Sequence, residues 1–208
     1  VITSNSYAVV PFHIGEARFA QEGQALAALA GELARRAVQA SGKAVQVAGS
    51  LPPLFGSYRP DLFQAERVSE LLAPLVNGLA PHVDLWLAET QSSIAEARAI
   101  HAGLPKDGKP FWLSFTLKDE DTDEVPRLRS GEPVADAAEA AAQLGVQVLL
   151  FNCSQPEVIG AAIDAARATF ERLGVAIQIG AYANAFPPQP KEATANDGLD
   201  PLRDDLDP

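Results

Sequence analysis

Short, almost wholly apolar runs rich in β-branched residues alternate along the chain with long Ala-rich stretches whose apolar positions recur at helical spacing. The runs predict strands at about Val1–Ser4, Ala44–Ala48, Val83–Ala88, Pro110–Phe115, Val146–Phe151 and Ala176–Gly180. The stretches between them predict helices at about Ile14–Ser41, Phe63–Leu79, Ile94–Ala102, Val134–Leu144 and Glu157–Leu173. Strands that are apolar on both faces belong to a parallel sheet buried on both sides. Gly42, Gly108, Gly145 and Gly174 each lie just ahead of a strand, where a helix C-cap or a tight αβ turn needs a positive φ.

Six β/α units of this kind suit either a barrel or an open doubly wound sheet. The strand ends favour the barrel. Polar residues recur there: Asn5, Ser50, Glu89, Thr116, Asn152 with Cys153, and Asn184. In a barrel those ends converge on one mouth, where active sites are built. No Gly-x-Gly-x-x-Gly follows a strand and no Walker loop is present, which speaks against a dinucleotide-binding domain. The expected fold is α/β, a (β/α)8 TIM barrel, over one domain spanning residues 1–208. After Pro187 the prolines and the closing Asp204, Asp205 and Asp207 predict an irregular acidic segment over 188–208.

Composition narrows the function. The chain has 208 residues, short of the roughly 250 of a complete barrel. Asp plus Glu number 27 against 16 Lys plus Arg, a net charge of −11. That excess of anions disfavours a nucleic-acid partner. No apolar run approaches the roughly 20 residues that span a membrane, and the stretch carries no signal-peptide pattern. The single cysteine, Cys153, cannot form an internal disulfide and fits a reducing, cytoplasmic setting. Met is absent, even at position 1, so the natural N-terminus is expected upstream.

Five stretches, VITSNSY, VAGSLPPLFGSYRPD, DLWLAETQSSIAEA, LLFNCSQPEVI and IGAYANAF, carry a resemblance. Together they resemble the homocysteine S-methyltransferase family, most closely its bacterial-type members using S-methylmethionine or S-adenosylmethionine. The GSLPP-to-SYRPD stretch is the most specific. The resemblance implies a barrel that binds homocysteine and a sulfonium methyl donor. It also implies Zn2+ held by three cysteine thiolates, with the homocysteine thiol as fourth ligand. Cys153 matches the first of those cysteines, and the family's adjacent Cys-Cys pair has no counterpart in this chain. The chain is therefore expected to be cut at both ends, lacking the first and last strands of its barrel. Glu89 matches the glutamate that receives the homocysteine amino group, and Thr90 is a second contact. Asn152 and Asn184 are expected to orient the site, Ser50 to touch substrate, and Asn5 to line the mouth.

Plainer readings stand beside these. A lone Cys is usually a small buried hydrophobe. Glu89 could cap the following helix or pair with Arg98. Asn5, Asn152 and Asn184 could satisfy buried backbone groups. Tyr7, Phe12, Phe55, Tyr58, Trp86 and Trp112 are more often core or rim packing than a cage for a cation, though a sulfonium could use one or two of them through cation–π attraction. Lys118–Glu124, KDEDTDE, reads as a solvated loop. The missing Cys-Cys pair also supports a rival reading, a non-catalytic barrel-like module that binds a small amino acid or a partner. Betaine or methyl-cobalamin as donor, and the oligomeric state, stay open.

Overall fold

The structure is a computed structural model that describes residues 1–119, 125–187 and 202–205. Strands β1 (Ile2–Thr3), β2 (Val47–Leu51), β3 (Leu85–Gln91), β4 (Phe111–Phe115), β5 (Val148–Asn152) and β6 (Gln178–Tyr182) form one sheet. Helices α1 (Pro11–Ile14) and α2 (Glu16–Ser41) follow β1, and α3 (Val68–Leu79), α4 (Ile94–Ala102), α5 (Val134–Gln143) and α6 (Pro156–Leu173) follow the next four strands. Two 3-10 turns, Pro60–Leu62 and Ala65–Arg67, lead into α3.

The strand order is β1-β2-β3-β4-β5-β6 and every neighbouring pair is parallel. A doubly wound sheet reverses its order at a switch point. Here the order never reverses, so right-handed crossovers carry all the helices to one face of the sheet. That face holds the main core, where Leu51, Trp86, Leu113, Phe115 and Phe151 pack with helix residues such as Leu72, Leu75 and Ala166. The alternate strand positions point the other way. Ala48, Leu85 and Leu87 form a second apolar cluster there, with Trp112 and Leu150 against it. Both faces are thus apolar, as continuous hydrophobic runs require.

The architecture is an α/β fold with a curled six-stranded parallel sheet of TIM-barrel type. Among the described residues it is not closed: β1 and β6 are its two edges. The curl is visible where Asn152 of β5 donates to the Thr90 hydroxyl of β3 at 2.8 Å, across the intervening β4.

Strands β2, β3, β5 and β6 start two or three residues later than their apolar runs predict, most clearly β2, which starts at Val47 rather than Ala44, whereas β1 and β4 start one residue later. A wholly apolar run has no phase, and the turn after Gly42 (φ 63°) consumes the first residues. Gly108, Gly145 and Gly174 also have positive φ, as their positions require. The shift matters for the site. Ser50, Glu89 and Asn152 lie inside the last turns of their strands, not beyond them. Helix α2 begins at Glu16, because Gly15 (φ 86°) breaks it from the short α1.

The acidic loop also differs from expectation. Residues 120–124 lie outside the described residues. Asp119, at the loop's start, is not solvated: it is buried and ion-paired with Arg129. The pair forms because a β-bridge between Leu117 and Leu128 folds the segment back on itself. Most of the acidic segment 188–208 also lies outside the described residues. Within 202–205, Arg203 pairs with Glu157 at the start of α6.

Helix α4 is closed at its start by a capping box. Ser93 accepts from the Glu96 amide, and the Glu96 carboxylate accepts from the Ser93 amide at 2.9 Å and the Ser92 amide at 2.6 Å. Burial nevertheless pushes the Glu96 carboxyl from 4.5 up to about 7, outweighing those donors. A raised carboxyl pKa means the folded state binds a proton that the unfolded state has lost. Its contribution is full below pH 4.5 and is lost as pH rises through about 7. Urea denaturation at pH 4.5 and 8 should therefore show Glu96→Gln lacking part of the parent's decline. The difference should be at most roughly 3 kcal/mol. Equal slopes in parent and variant would contradict it.

Candidate functional site

The carboxyl ends of the strands enclose a cavity of about 450 Å³. The loop after β1 contributes Asn5 and Tyr7, and the loop after β2 contributes Tyr58. Strand β3 contributes Glu89 and Thr90, the end of β5 Asn152 and Cys153, and the edge strand β6 Tyr182. A smaller recess of about 150 Å³ on the same concave face shares Glu89 and Asn152 and reaches Leu87, Ser114 and Leu150. One carboxylate, one thiol and two amides therefore face a single space the size of a small amino acid with a second small molecule.

Three hydrogen-bonded chains fix these side chains. The Ser50 hydroxyl donates to Glu89 at 2.5 Å, and the Ser50 amide in turn donates to Ser4 at 3.0 Å. The Ser114 hydroxyl donates to Asn152 Oδ1 at 2.7 Å, leaving Asn152 Nδ2 to donate to Thr90 at 2.8 Å and to lie 3.4 Å from Cys153 Sγ. Tyr7 and Ser57 hydroxyls meet at 2.7 Å. These bonds join residues of different strands or loops, so much of the cavity is shaped before anything enters it.

The backbone carries strain at the same place. Among the described residues, the non-glycine residues with positive φ are Tyr58 (65°), Thr90 (60°) and Cys153 (51°), and all three line the cavity. A bulky or β-branched residue in the left-handed region costs of order 1–3 kcal/mol and persists where its surroundings enforce it. Thr90 sits where the β3–β4 register shifts between Ala88 and Gln91. Such bulges re-aim side chains beside active sites. Cys153 sits at the turn from β5 to α6, with its amide donating to the Tyr182 carbonyl at 3.1 Å.

Burial pushes the Cys153 thiol up. The Glu89 charge adds to that, against hydrogen bonds from Tyr58, Thr90 and Asn152. Burial likewise pushes Tyr7 up to about 12, and it raises Tyr58 too. The thiol and both phenols are therefore protonated at neutral pH, and Glu89 brings the negative charge into the cavity.

Of the residues expected at the site, Asn5, Glu89, Thr90, Asn152 and Cys153 line this cavity together. Ser50 and Asn184 do not. Ser50 is buried beneath Glu89 and reaches the cavity only through it. Asn184 accepts from Gln155 and from the Phe186 amide, both at 3.3 Å, tying down the turn after β6. Thr116 is buried below, its hydroxyl 3.5 Å from the Cys153 carbonyl. Glu89 does not pair with Arg98, which instead donates to Gln143 at 2.6 Å, and the cap of the following helix belongs to Ser93 and Glu96. Ser114 and Tyr182 were not singled out from sequence. A serine inside the otherwise apolar run FWLSF was the available signal for Ser114.

Zinc bound in the manner of three thiolates needs three protein ligands. Among the described residues no group of three or more His, Cys, Asp or Glu side chains could hold a metal, and Cys153 is the sole cysteine. The described residues therefore do not by themselves fit a zinc ion. No helix among them is long and apolar enough to cross a membrane. Compared with known proteins, residues 1–204 match the family model for homocysteine S-methyltransferase. No curated protein matches the chain.

Proposed function

Because the chain belongs to the homocysteine S-methyltransferase family, we propose that it moves a methyl group from a sulfonium donor to the sulfur of homocysteine, giving methionine. S-methylmethionine and S-adenosylmethionine are the donors of choice. The observation that supports this reading best is the shared cavity of Glu89 and Cys153.

In this reading Glu89 receives the homocysteine ammonium. A charge-assisted bond in a recessed site binds and orients in one step. Ser50 holds the carboxylate in place, and Asn152 with Thr90 sets the floor on which the amino acid lies. The thiol end then points toward Cys153. The donor occupies the outer cavity, where the Tyr7, Tyr58 and Tyr182 rings face a sulfonium through cation–π attraction. The homocysteine sulfur, its thiol proton released to solvent, forms a bond to the methyl carbon as the donor's S–CH3 bond breaks, and the donor leaves as a neutral thioether. Holding the two sulfurs in line with that carbon is the main contribution asked of the protein. Zinc would belong beside Cys153, with two further thiolates that this chain does not contain. The lone thiol suits the cytoplasm.

The rival reading, a non-catalytic module, draws on the missing metal ligands. The protein as its gene encodes it decides between them. Incubation with homocysteine and S-methylmethionine or S-adenosylmethionine, with methionine measured by mass spectrometry, should show turnover. Homocysteine binding without methionine formation from either donor would favour the module.

A further inference from the structure

The loop between β4 and α5 places a buried ion pair directly behind the cavity. Arg129 Nη1 lies 2.7 Å from Asp119 Oδ1, and the side chains are only 5% and 2% exposed. Such a pair contributes little net stability, because desolvation offsets most of the attraction and an apolar pair of the same size serves as well. Its second contacts lie around one residue. The Arg129 guanidinium lies over the Tyr58 ring at 5.3 Å, and Tyr58 lines the same cavity as Cys153. The other oxygen of Asp119 accepts from the Gln155 amide at 3.2 Å, two residues past Cys153. Tyr58 and Cys153 both hold left-handed backbones that need external support. Arg129 is itself anchored, its amide donating to the Thr116 carbonyl at 3.1 Å.

We propose that the Asp119–Arg129 pair is a positioning device for the site, clamping the Tyr58 ring on one side and the Cys153 turn on the other. Arg129 sets where the Tyr58 side chain sits on the cavity wall it shares with Cys153, and Asp119 fixes the Gln155 amide that follows. Neither residue faces the cavity, so both act through others. The proposal rests on the methyl-transfer reading only for its kinetic consequence.

A double-mutant cycle on the protein as its gene encodes it tests this, combining Arg129→Met with Tyr58→Phe. Met keeps the length of the stem and removes the charge and the flat stack. Arg129→Met should lower kcat about tenfold with the KM for homocysteine within about twofold. In the Tyr58→Phe background the same change should cost less than about twofold. Hydrogen exchange should quicken in the peptides bearing Tyr58 and Cys153 and stay unchanged in α3 and α5. Equal losses in both backgrounds, or faster exchange throughout the fold, would make the pair merely structural and overturn the proposal. Arg129→Lys keeps a charge for Asp119 but not the stack. It should reproduce the kcat loss in a protein that melts like the parent, and full activity there would overturn the role of the stack. If no methyl transfer occurs in the parent, that reading fails alone, and local exchange still decides this one.

Discussion

Cys153→Ser is expected to lower methyl transfer by at least about a hundredfold in the protein as its gene encodes it, without unfolding it. The substitution exchanges one atom. Serine takes the same space, has the same Cβ for the strained φ of 51°, and can still accept from Tyr58 and Asn152. Thermal stability should therefore change by no more than about 0.5 kcal/mol. What disappears is a soft sulfur beside Glu89. A hydroxyl is a poor partner for a thiophilic metal, so if the protein holds one at Cys153, metal content per chain should fall with activity. Initial rates with homocysteine, elemental analysis and a melting curve on the same preparation separate these effects. Undiminished turnover in the serine variant would remove Cys153 from the chemistry.

Local pattern makes some of the site legible in the sequence, and contacts between distant residues hide the rest. Six strands and five long helices follow from periodicity and glycine placement, because each depends on residues close in the chain. The run DLWLAETQ places Glu89 at a strand end for the same reason. Depth was not legible. Ser50 and Glu89 are both polar residues near strand ends, yet only Glu89 faces the cavity, because Ser50 is covered by Glu89 itself. The left-handed backbones of Tyr58, Thr90 and Cys153 were hidden too, since none of these residue types favours that region. They are imposed by contacts such as Asn152 to Thr90, which join residues 62 positions apart. Asp119 belongs by sequence to an acidic run that reads as solvated. It is buried because the hairpin brings Arg129 to it, and a charge run alone says nothing about pairing ten residues away.

Glu89→Gln is expected to raise the KM for homocysteine about 10- to 100-fold while kcat stays within a few-fold. The amide oxygen still accepts from Ser50 and fills the same volume, so the lost quantity is one negative charge facing one ammonium. A hydrogen bond to a charged partner is worth roughly 1.5–3 kcal/mol, which corresponds to that range of binding. The contact is the same before and during methyl transfer, so its loss appears in KM rather than kcat. The substrate supplies the control. A thiol of the same length without the α-amino group, 4-mercaptobutanoate, has nothing to offer Glu89. Parent and variant should use it equally poorly. If the variant discriminated against both thiols to the same extent, Glu89 would be shaping the cavity instead of binding the amine. Steady-state kinetics with the two thiols against one donor give that answer directly.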